Sequence, residues 1–170
     1  MTFPIRRPGR DESGEYRGFY VWAVTENTGD SESSYFETTL YVQSPVPTPQ
    51  LTLERWSPRT ENPFSWTPSN PGAIAVGDPE FDRIFVVSGE VDLVRRIMND
   101  HMTAWLKSID WYGSALRGLH EIDFGAKPIT IPGHHNPIEC QYRVDFVIDF
   151  LLRTPRDTWP APSAGTVASA

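Results

Sequence analysis

The chain has 170 residues, 39% hydrophobic and 12% aromatic, which excludes global disorder and fits one ordinary domain with a core of its own. Its formal net charge of −7 repels nucleic-acid phosphates, and its lysines and arginines are scattered, so we expect no nucleic-acid partner. Cys140 is the single cysteine, which excludes an intrachain disulfide and a cysteine-based zinc finger and favours a reducing, cytoplasmic location.

Neither a targeting signal nor a membrane span is expected. The N-terminus MTFPIRRPGR carries positive charge but no apolar segment behind it, so it is unlike a signal peptide. The most apolar stretch, Phe146–Leu152, is far shorter than a membrane span and contains Asp149. We therefore expect no direct membrane insertion.

The first part of the chain predicts a hairpin. Residues 1–13 are polar, with proline and glycine, and predict a flexible N-terminal segment. Tyr16–Thr25 is rich in aromatic and β-branched residues and predicts a strand. Tyr35–Gln43 alternates and predicts a half-buried strand, with the polar loop Glu26–Ser34 closing an antiparallel hairpin. One face of that second strand consists of Phe36, Thr38, Leu40 and Val42.

The middle of the chain predicts two further strands and a helix. Leu51–Trp56 predicts a short strand, and residues 57–80 form a long loop with five prolines. Phe81–Val87 predicts the next strand. Ser88 or Gly89 would cap a helix over Val91–Ile109. The apolar face of that helix comprises Val91, Val94, Met98, Met102, Trp105, Leu106 and Ile109.

The last third predicts two short strands, a second helix and a tail. Leu119–Phe124 and Lys127–Ile131 predict strands joined by a turn at Gly125. Ile138–Leu152 predicts a helix with Ile138, Tyr142, Phe146 and Phe150 stacked on one face. Residues 161–170 predict a disordered tail.

This order of elements predicts an α+β fold. Residues 14–160 would form a single domain with an antiparallel or mixed sheet of about six strands and two main helices packed on one face. Alternating strand–helix units are absent, which argues against a doubly wound nucleotide-binding sheet.

The histidines offer the most tempting chemistry. His120-Glu121 begins like a zinc-protease helix motif, but position 124 is Phe where a second His is required. His134 and His135 lie together on a predicted loop and are candidate binding residues, although no third or fourth ligand can be identified for a metal ion. We therefore predict no metal and no cofactor.

No set of residues forms a recognisable active site. Gly113–Gly118 has the glycine spacing of a phosphate-binding loop, but Leu119 and His120 follow where Lys and Ser/Thr are needed. The Asp145/Asp149 pair predicts a solvated helix face, and Cys140 an inert thiol. We assign no catalytic residue.

Aromatic residues beside the proline-rich loop favour partner binding. Trp56 and Trp66 frame that loop, and aromatic side chains on a stiff loop supply contact area at low entropic cost. They complete the candidate binding set with His134 and His135.

One segment carries a family resemblance. The sequence GDPEFDRIFVV over Gly77–Val87, followed by an amphipathic helix, resembles a segment of uncharacterised actinobacterial proteins of unknown function. Pro155 and Trp159 after the second predicted helix match their order as well, so the resemblance covers roughly residues 14–160. Such proteins often have preceding membrane helices, which this sequence lacks, and the resemblance implies no catalytic residue.

The leading hypothesis is a non-catalytic interaction module of an actinobacterium or its phage, which binds a protein partner through a sheet edge and the proline-rich loop. One alternative is a small enzyme or ligand-binding domain with a pocket between helices and sheet, using His120, His134 or the acids of Asp78–Asp82. Another is a structural subunit of a larger assembly. Each is compatible with a homo-oligomer.

Overall fold

Within the part of the chain that the structure describes, the fold is α+β, as predicted, but the strands form two antiparallel sheets and not one. The computed structural model describes residues 12–27, 36–55, 72–111, 115–133 and 136–161. Sheet A has four strands in the order β1-β2-β3-β7, and sheet B has three in the order β5-β4-β6.

Sheet A is built on the predicted hairpin. The strands β2 (Phe19–Asn27) and β3 (Phe36–Gln43) pair antiparallel, and β7 (Ile129–Pro132) pairs with β3. The strand β1 (Glu12–Tyr16) begins inside the segment predicted to be flexible. It joins β2 through Arg17 and Gly18, both with positive φ, as a tight two-residue hairpin turn requires.

Sheet B is formed by β4 (Leu51–Arg55), β5 (Phe85–Gly89) and β6 (Glu121–Asp123). The two strands predicted on either side of Gly125 are present but do not pair with each other, because β6 pairs with β4 whereas β7 pairs with β3 of the other sheet. The chain therefore crosses from one sheet to the other between these two strands.

The predicted strand Phe81–Val87 is a strand only in its second half. Its first half is the one-turn helix α1 (Phe81–Ile84). The carboxylate of Asp78 accepts hydrogen bonds from the backbone N–H groups of Glu80 and Phe81, both at 3.1 Å, and so starts the helical turn.

The predicted helix over Val91–Ile109 is two helices, α2 (Val91–Ile97) and α3 (Asp100–Ser108). Glu90 caps α2, not Ser88 or Gly89, and Asn99 ends the continuity because its side chain caps α3. Of the predicted face, Val91 is exposed, and Trp105 and Ile109 are half-buried.

The helix α4 (Pro137–Arg153) buries Phe146 and Phe150 of the predicted face but not its first two members. Ile138 and Tyr142 are 66% and 61% exposed. The buried face is wide and comprises Cys140, Arg143, Val144, Phe146, Val147, Ile148, Phe150 and Leu151. A short 3-10 helix, Arg156–Thr158, follows α4.

One hydrophobic cluster joins the elements. Leu40 and Ile131 of sheet A, Leu53 of sheet B and Val147 of α4 belong to the same buried core. Aromatic pairs tighten it around α4, for Phe150 stacks on Phe124 at a centroid distance of 3.9 Å. The inner side of each sheet is thereby committed to packing.

Candidate functional site

The outer side of sheet A carries an aromatic cluster. Trp22 of β2 and Tyr41 of β3 are direct cross-strand neighbours, and their rings stack with centroids 5.0 Å apart at an interplanar angle of 7°. Tyr20 lies 5.7 Å from Trp22, also between ring centroids, and is 48% exposed. We call the outer side of sheet A around Tyr20, Trp22 and Tyr41 the aromatic face.

Strand alternation explains why these rings face outward. Successive side chains of a strand point to opposite sides of the sheet. In β2, Phe19 and Val21 are buried in the core. Tyr20 and Trp22 occupy the alternate positions of the strand and therefore point away from the core. In β3, Leu40 and Val42 are buried, which places Tyr41 on the outer side.

The row that contains Trp22 and Tyr41 ends in small side chains. Ser13 of β1 pairs with Trp22, and Thr130 of β7 pairs with Tyr41; both are exposed. Neither neighbour is large enough to cover an indole or phenol ring. The stacked rings of Trp22 and Tyr41 are therefore flanked on both sides by side chains that are too small to cover them.

The charged residues on the aromatic face are all acidic. Glu15 of β1, Glu26 of β2 and Glu37 of β3 alternate onto the outer side and are exposed. Glu26 and Glu37 are direct cross-strand partners, a juxtaposition of like charges. The four strands of sheet A contain no lysine, arginine or histidine.

The acids near α1 have structural partners. Lys107 donates to Asp78 at 2.7 Å and to Glu80 at 3.1 Å. The hydrogen bond from Lys107, with one from the N–H of Phe81, holds the pKa of Asp78 below its ordinary value. Asp82 accepts hydrogen bonds from the N–H groups of Val76 and Gly77. These carboxylates are thus engaged in holding the segment before β5.

The predicted solvated pair on α4 also has partners. Arg17 in the β1–β2 turn donates to Asp145 at 3.2 Å and to Asp149 at 2.7 Å. The hydroxyl of Tyr16 donates to Asp145 at 2.8 Å. Burial, followed by this hydrogen bond, raises the pKa of Tyr16. The carboxylates therefore fasten the β1–β2 hairpin to α4.

The residues predicted to bind a partner cannot be compared with this geometry. Trp56, Trp66, His134 and His135 all lie outside the described residues. His120 is exposed, and Cys140 is fully buried in α4. Within the described ranges, no group of three or more His, Cys, Asp or Glu side chains is placed to hold a metal ion.

A small open groove lies between residues 43–48 and 126–129, with a volume of about 200 Å³. Pro45, Pro47 and Pro128 line it, and Lys127 is the one ionisable residue among its lining. Such a lining offers apolar contact but no pair of groups for acid–base chemistry.

The aromatic face was not among the predicted sites, although the sequence contains a signal for it. Tyr20 and Trp22 occupy alternate positions in the first predicted strand, and Tyr41 lies on the polar side of the second. In a hairpin, these positions converge on one side of the sheet. Aromatic residues on the expected solvent side were the signal that could have identified it.

No protein-family profile, no curated protein and no solved structure matches this chain. The resemblance of Gly77–Val87 to actinobacterial proteins of unknown function stays a prediction. Across the part of the chain that the structure describes, none of the helices is long and apolar enough to cross a bilayer.

Proposed function

We propose that this chain is a non-catalytic protein-interaction module and that the aromatic face is its docking surface. The observation that carries the proposal is the cluster of Tyr20, Trp22 and Tyr41 on the outer side of a sheet whose inner side already packs the core. Tyrosine and tryptophan are enriched at protein interfaces and at the residues that dominate binding energy.

Fold stability alone accounts poorly for this cluster. A two-sided sheet in a domain of this size needs one apolar side, and Phe19, Val21, Leu40 and Val42 supply it for β2 and β3. On the second side Tyr20 is exposed and Trp22 and Tyr41 are half-buried, and a contiguous apolar patch of this kind is a feature of interaction surfaces. The rings also lie on paired strands, which hold them in place before a partner arrives.

The charge of the face selects the class of partner. Nucleic acids also stack on aromatic residues of a sheet, but they require cations for their phosphates. Glu15, Glu26 and Glu37 would repel phosphates here, and the strands of sheet A supply no compensating cation. A protein partner offers apolar contacts to the rings and does not bring phosphates close to the carboxylates.

The test compares two exposed tyrosines on different surfaces. Tyr20→Ala alters the aromatic face, and Tyr142→Ala is a matched control because Tyr142 is 61% exposed on α4. Thr130→Arg is a second face variant, which adds a long side chain beside Tyr41 without removing a ring. Each immobilised protein is incubated with soluble extract of the source cells, and bound proteins are quantified by mass spectrometry.

We expect at least one protein that the unaltered chain and Tyr142→Ala retain but that Tyr20→Ala and Thr130→Arg lose. Truncation of a central interface residue weakens binding by about tenfold or more. Circular dichroism melts verify that the variants are folded. Partners that are retained equally by all variants, or lost only with Tyr142→Ala, would show that the docking surface lies elsewhere.

A further inference from the structure

We infer that the aromatic face binds a protein segment rich in arginine or lysine. This inference rests on the proposed function and adds the chemistry of the partner. It follows from the acidic charge of the aromatic face, whose strands contain no cation, and from the surroundings of Trp22.

The carboxylates of the aromatic face have no ion-pair partner among the described residues, whereas several other acids do. Asp78 and Glu80 pair with Lys107, Asp145 and Asp149 pair with Arg17, and Asp157 pairs with Arg96. None of the ion pairs between described residues includes Glu15, Glu26 or Glu37. The negative charge on the outer side of sheet A is therefore not neutralised by these ion pairs and is accessible to a cation of a binding partner.

Glu26 and Glu37 form a pair of like charges that a cation would stabilise. They face each other across β2 and β3, and like charges in that position destabilise a sheet. A cation placed between the two carboxylates would turn their repulsion into attraction to both. In the free protein the repulsion between these two carboxylates lowers stability, and a basic partner removes that repulsion.

The tryptophans show the same contrast. Arg153 lies over Trp105 at 4.6 Å from the ring centroid, Arg156 over Trp159 at 4.4 Å, and Arg55 over Trp111 at 5.6 Å. Of the tryptophans in the described ranges, Trp22 alone has no described arginine over its ring. With Ser13 as its neighbour on β1, the indole leaves room for a cation from outside.

The same charges disfavour a second copy of this chain as the occupant. Two aromatic faces in contact would bring the carboxylates of Glu15, Glu26 and Glu37 of both copies together, with no lysine or arginine from either sheet A to separate them. A partner with the opposite charge avoids this repulsion.

The test uses short synthetic peptides as probes of the full chain. In one peptide arginine alternates with serine, and in matched peptides glutamine or glutamate replaces arginine; binding is followed by fluorescence anisotropy. We expect the arginine peptide to bind and the other two not to bind, with an affinity that falls as salt is raised. Equal binding of the glutamine peptide, or binding of a thymidine oligonucleotide in place of the arginine peptide, would overturn the inference.

Two variants assign the binding to the aromatic face. Glu26→Gln/Glu37→Gln should weaken the arginine peptide by about fivefold. Trp22→Leu should weaken it by about threefold. The control Glu121→Gln/Asp92→Asn removes the same charge from exposed positions elsewhere and should leave the affinity unchanged. A control that weakens binding as much as the glutamate pair would show a non-specific charge effect and overturn the inference.

A stability measurement separates lost binding from lost folding. Since Glu26→Gln/Glu37→Gln removes a like-charge pair, this variant should unfold at a higher denaturant concentration than the unaltered chain while binding the peptide less well. If a cellular partner is lost with Tyr20→Ala but is insensitive to the glutamate pair and to salt, the interaction module stands and the basic partner is refuted. If that partner is insensitive to Tyr20→Ala and Thr130→Arg, both proposals fall.

Discussion

At Arg143 a charged side chain lies inside the core and donates its hydrogen bonds to backbone carbonyl groups. The guanidinium reaches Ala115 and Arg117 in one segment and Pro132 and Gly133 in another, at 2.7–2.9 Å. Burial lowers the pKa of Arg143, but an arginine stays protonated in proteins. The planar guanidinium group of Arg143 therefore holds two irregular segments against α4.

Replacing Arg143 should cost more stability than its single position in α4 suggests. Arg143→Met keeps most of the buried stem but leaves four carbonyl groups without their donor, and we expect a loss of about 3–5 kcal/mol in unfolding free energy. Arg143→Lys should lose less, because it retains the charge with fewer donors. Denaturant titration measures both.

The control for Arg143 is an exposed arginine on a helix. Arg95→Met in α2 changes the same atoms at an exposed position and should alter the unfolding free energy by no more than about 0.5 kcal/mol. Equal midpoints for Arg143→Met and Arg95→Met would mean that the buried hydrogen bonds contribute nothing net.

Among the elements, Asp78 acts at a junction. Its carboxylate accepts hydrogen bonds from the N–H groups of Glu80 and Phe81 at the start of α1 and pairs with Lys107 of α3, so that one side chain joins two helices. Because its folded-state pKa is lowered from the ordinary 3.8, its contribution to stability is complete above that value. The contribution is lost as the pH falls through the lower, folded-state pKa.

Asp78→Asn should therefore be destabilising at neutral pH and progressively less so in acid. Asn retains an oxygen that can cap α1 but loses the charge that attracts Lys107. The difference in unfolding free energy between the two proteins should be constant from pH 7 to about pH 5 and should narrow towards about pH 3.

Denaturant melts at each pH measure this difference, with Asp92→Asn as the control, since Asp92 is exposed in the first turn of α2. A difference that is constant down to about pH 3, or that widens, would contradict the assigned role of Asp78.

Sequence periodicity located most elements but not all of their boundaries or faces. The alternation in Tyr35–Gln43 specified β3 and its inward side correctly, since Leu40 and Val42 are buried. The apolar run of Phe81–Val87 concealed α1, because a cap from Asp78 outweighs strand propensity over one turn. In α4, four-residue spacing selected Phe146 and Phe150 correctly, but Ile138 and Tyr142 are exposed, because positions four residues apart drift around a helix of about 3.6 residues per turn.

The partition into two sheets could not be predicted from the same signals. The strands β6 and β7 are short and separated by a turn, which is the pattern of a hairpin. Periodicity states which side of a strand is buried and does not state which strand it pairs with. The aromatic face was predictable in part, since the alternation of each strand shows which aromatic residues point outward. The strand pairing that places Glu26 opposite Glu37 on the same face could not be predicted.

At the scale of the whole described fold, α4 contributes to a core that the two sheets share. Phe146 of α4 packs against Trp105 and Trp111, and Phe150 stacks on Phe124 next to β6. On its other side α4 contributes to the cluster that contains Leu40 and Ile131 of sheet A.

This arrangement predicts that both sheets unfold together. Phe150→Ala empties a large aromatic site in the shared core and should lower the unfolding free energy by about 3–5 kcal/mol. Because the core is shared, hydrogen exchange of amides in β2 and in β4 should accelerate to the same extent. Phe36→Ala, at a position 57% exposed, is the control and should change little. Two separate unfolding transitions, or faster exchange in β4 with β2 unchanged, would show that the sheets are independent units that α4 merely contacts.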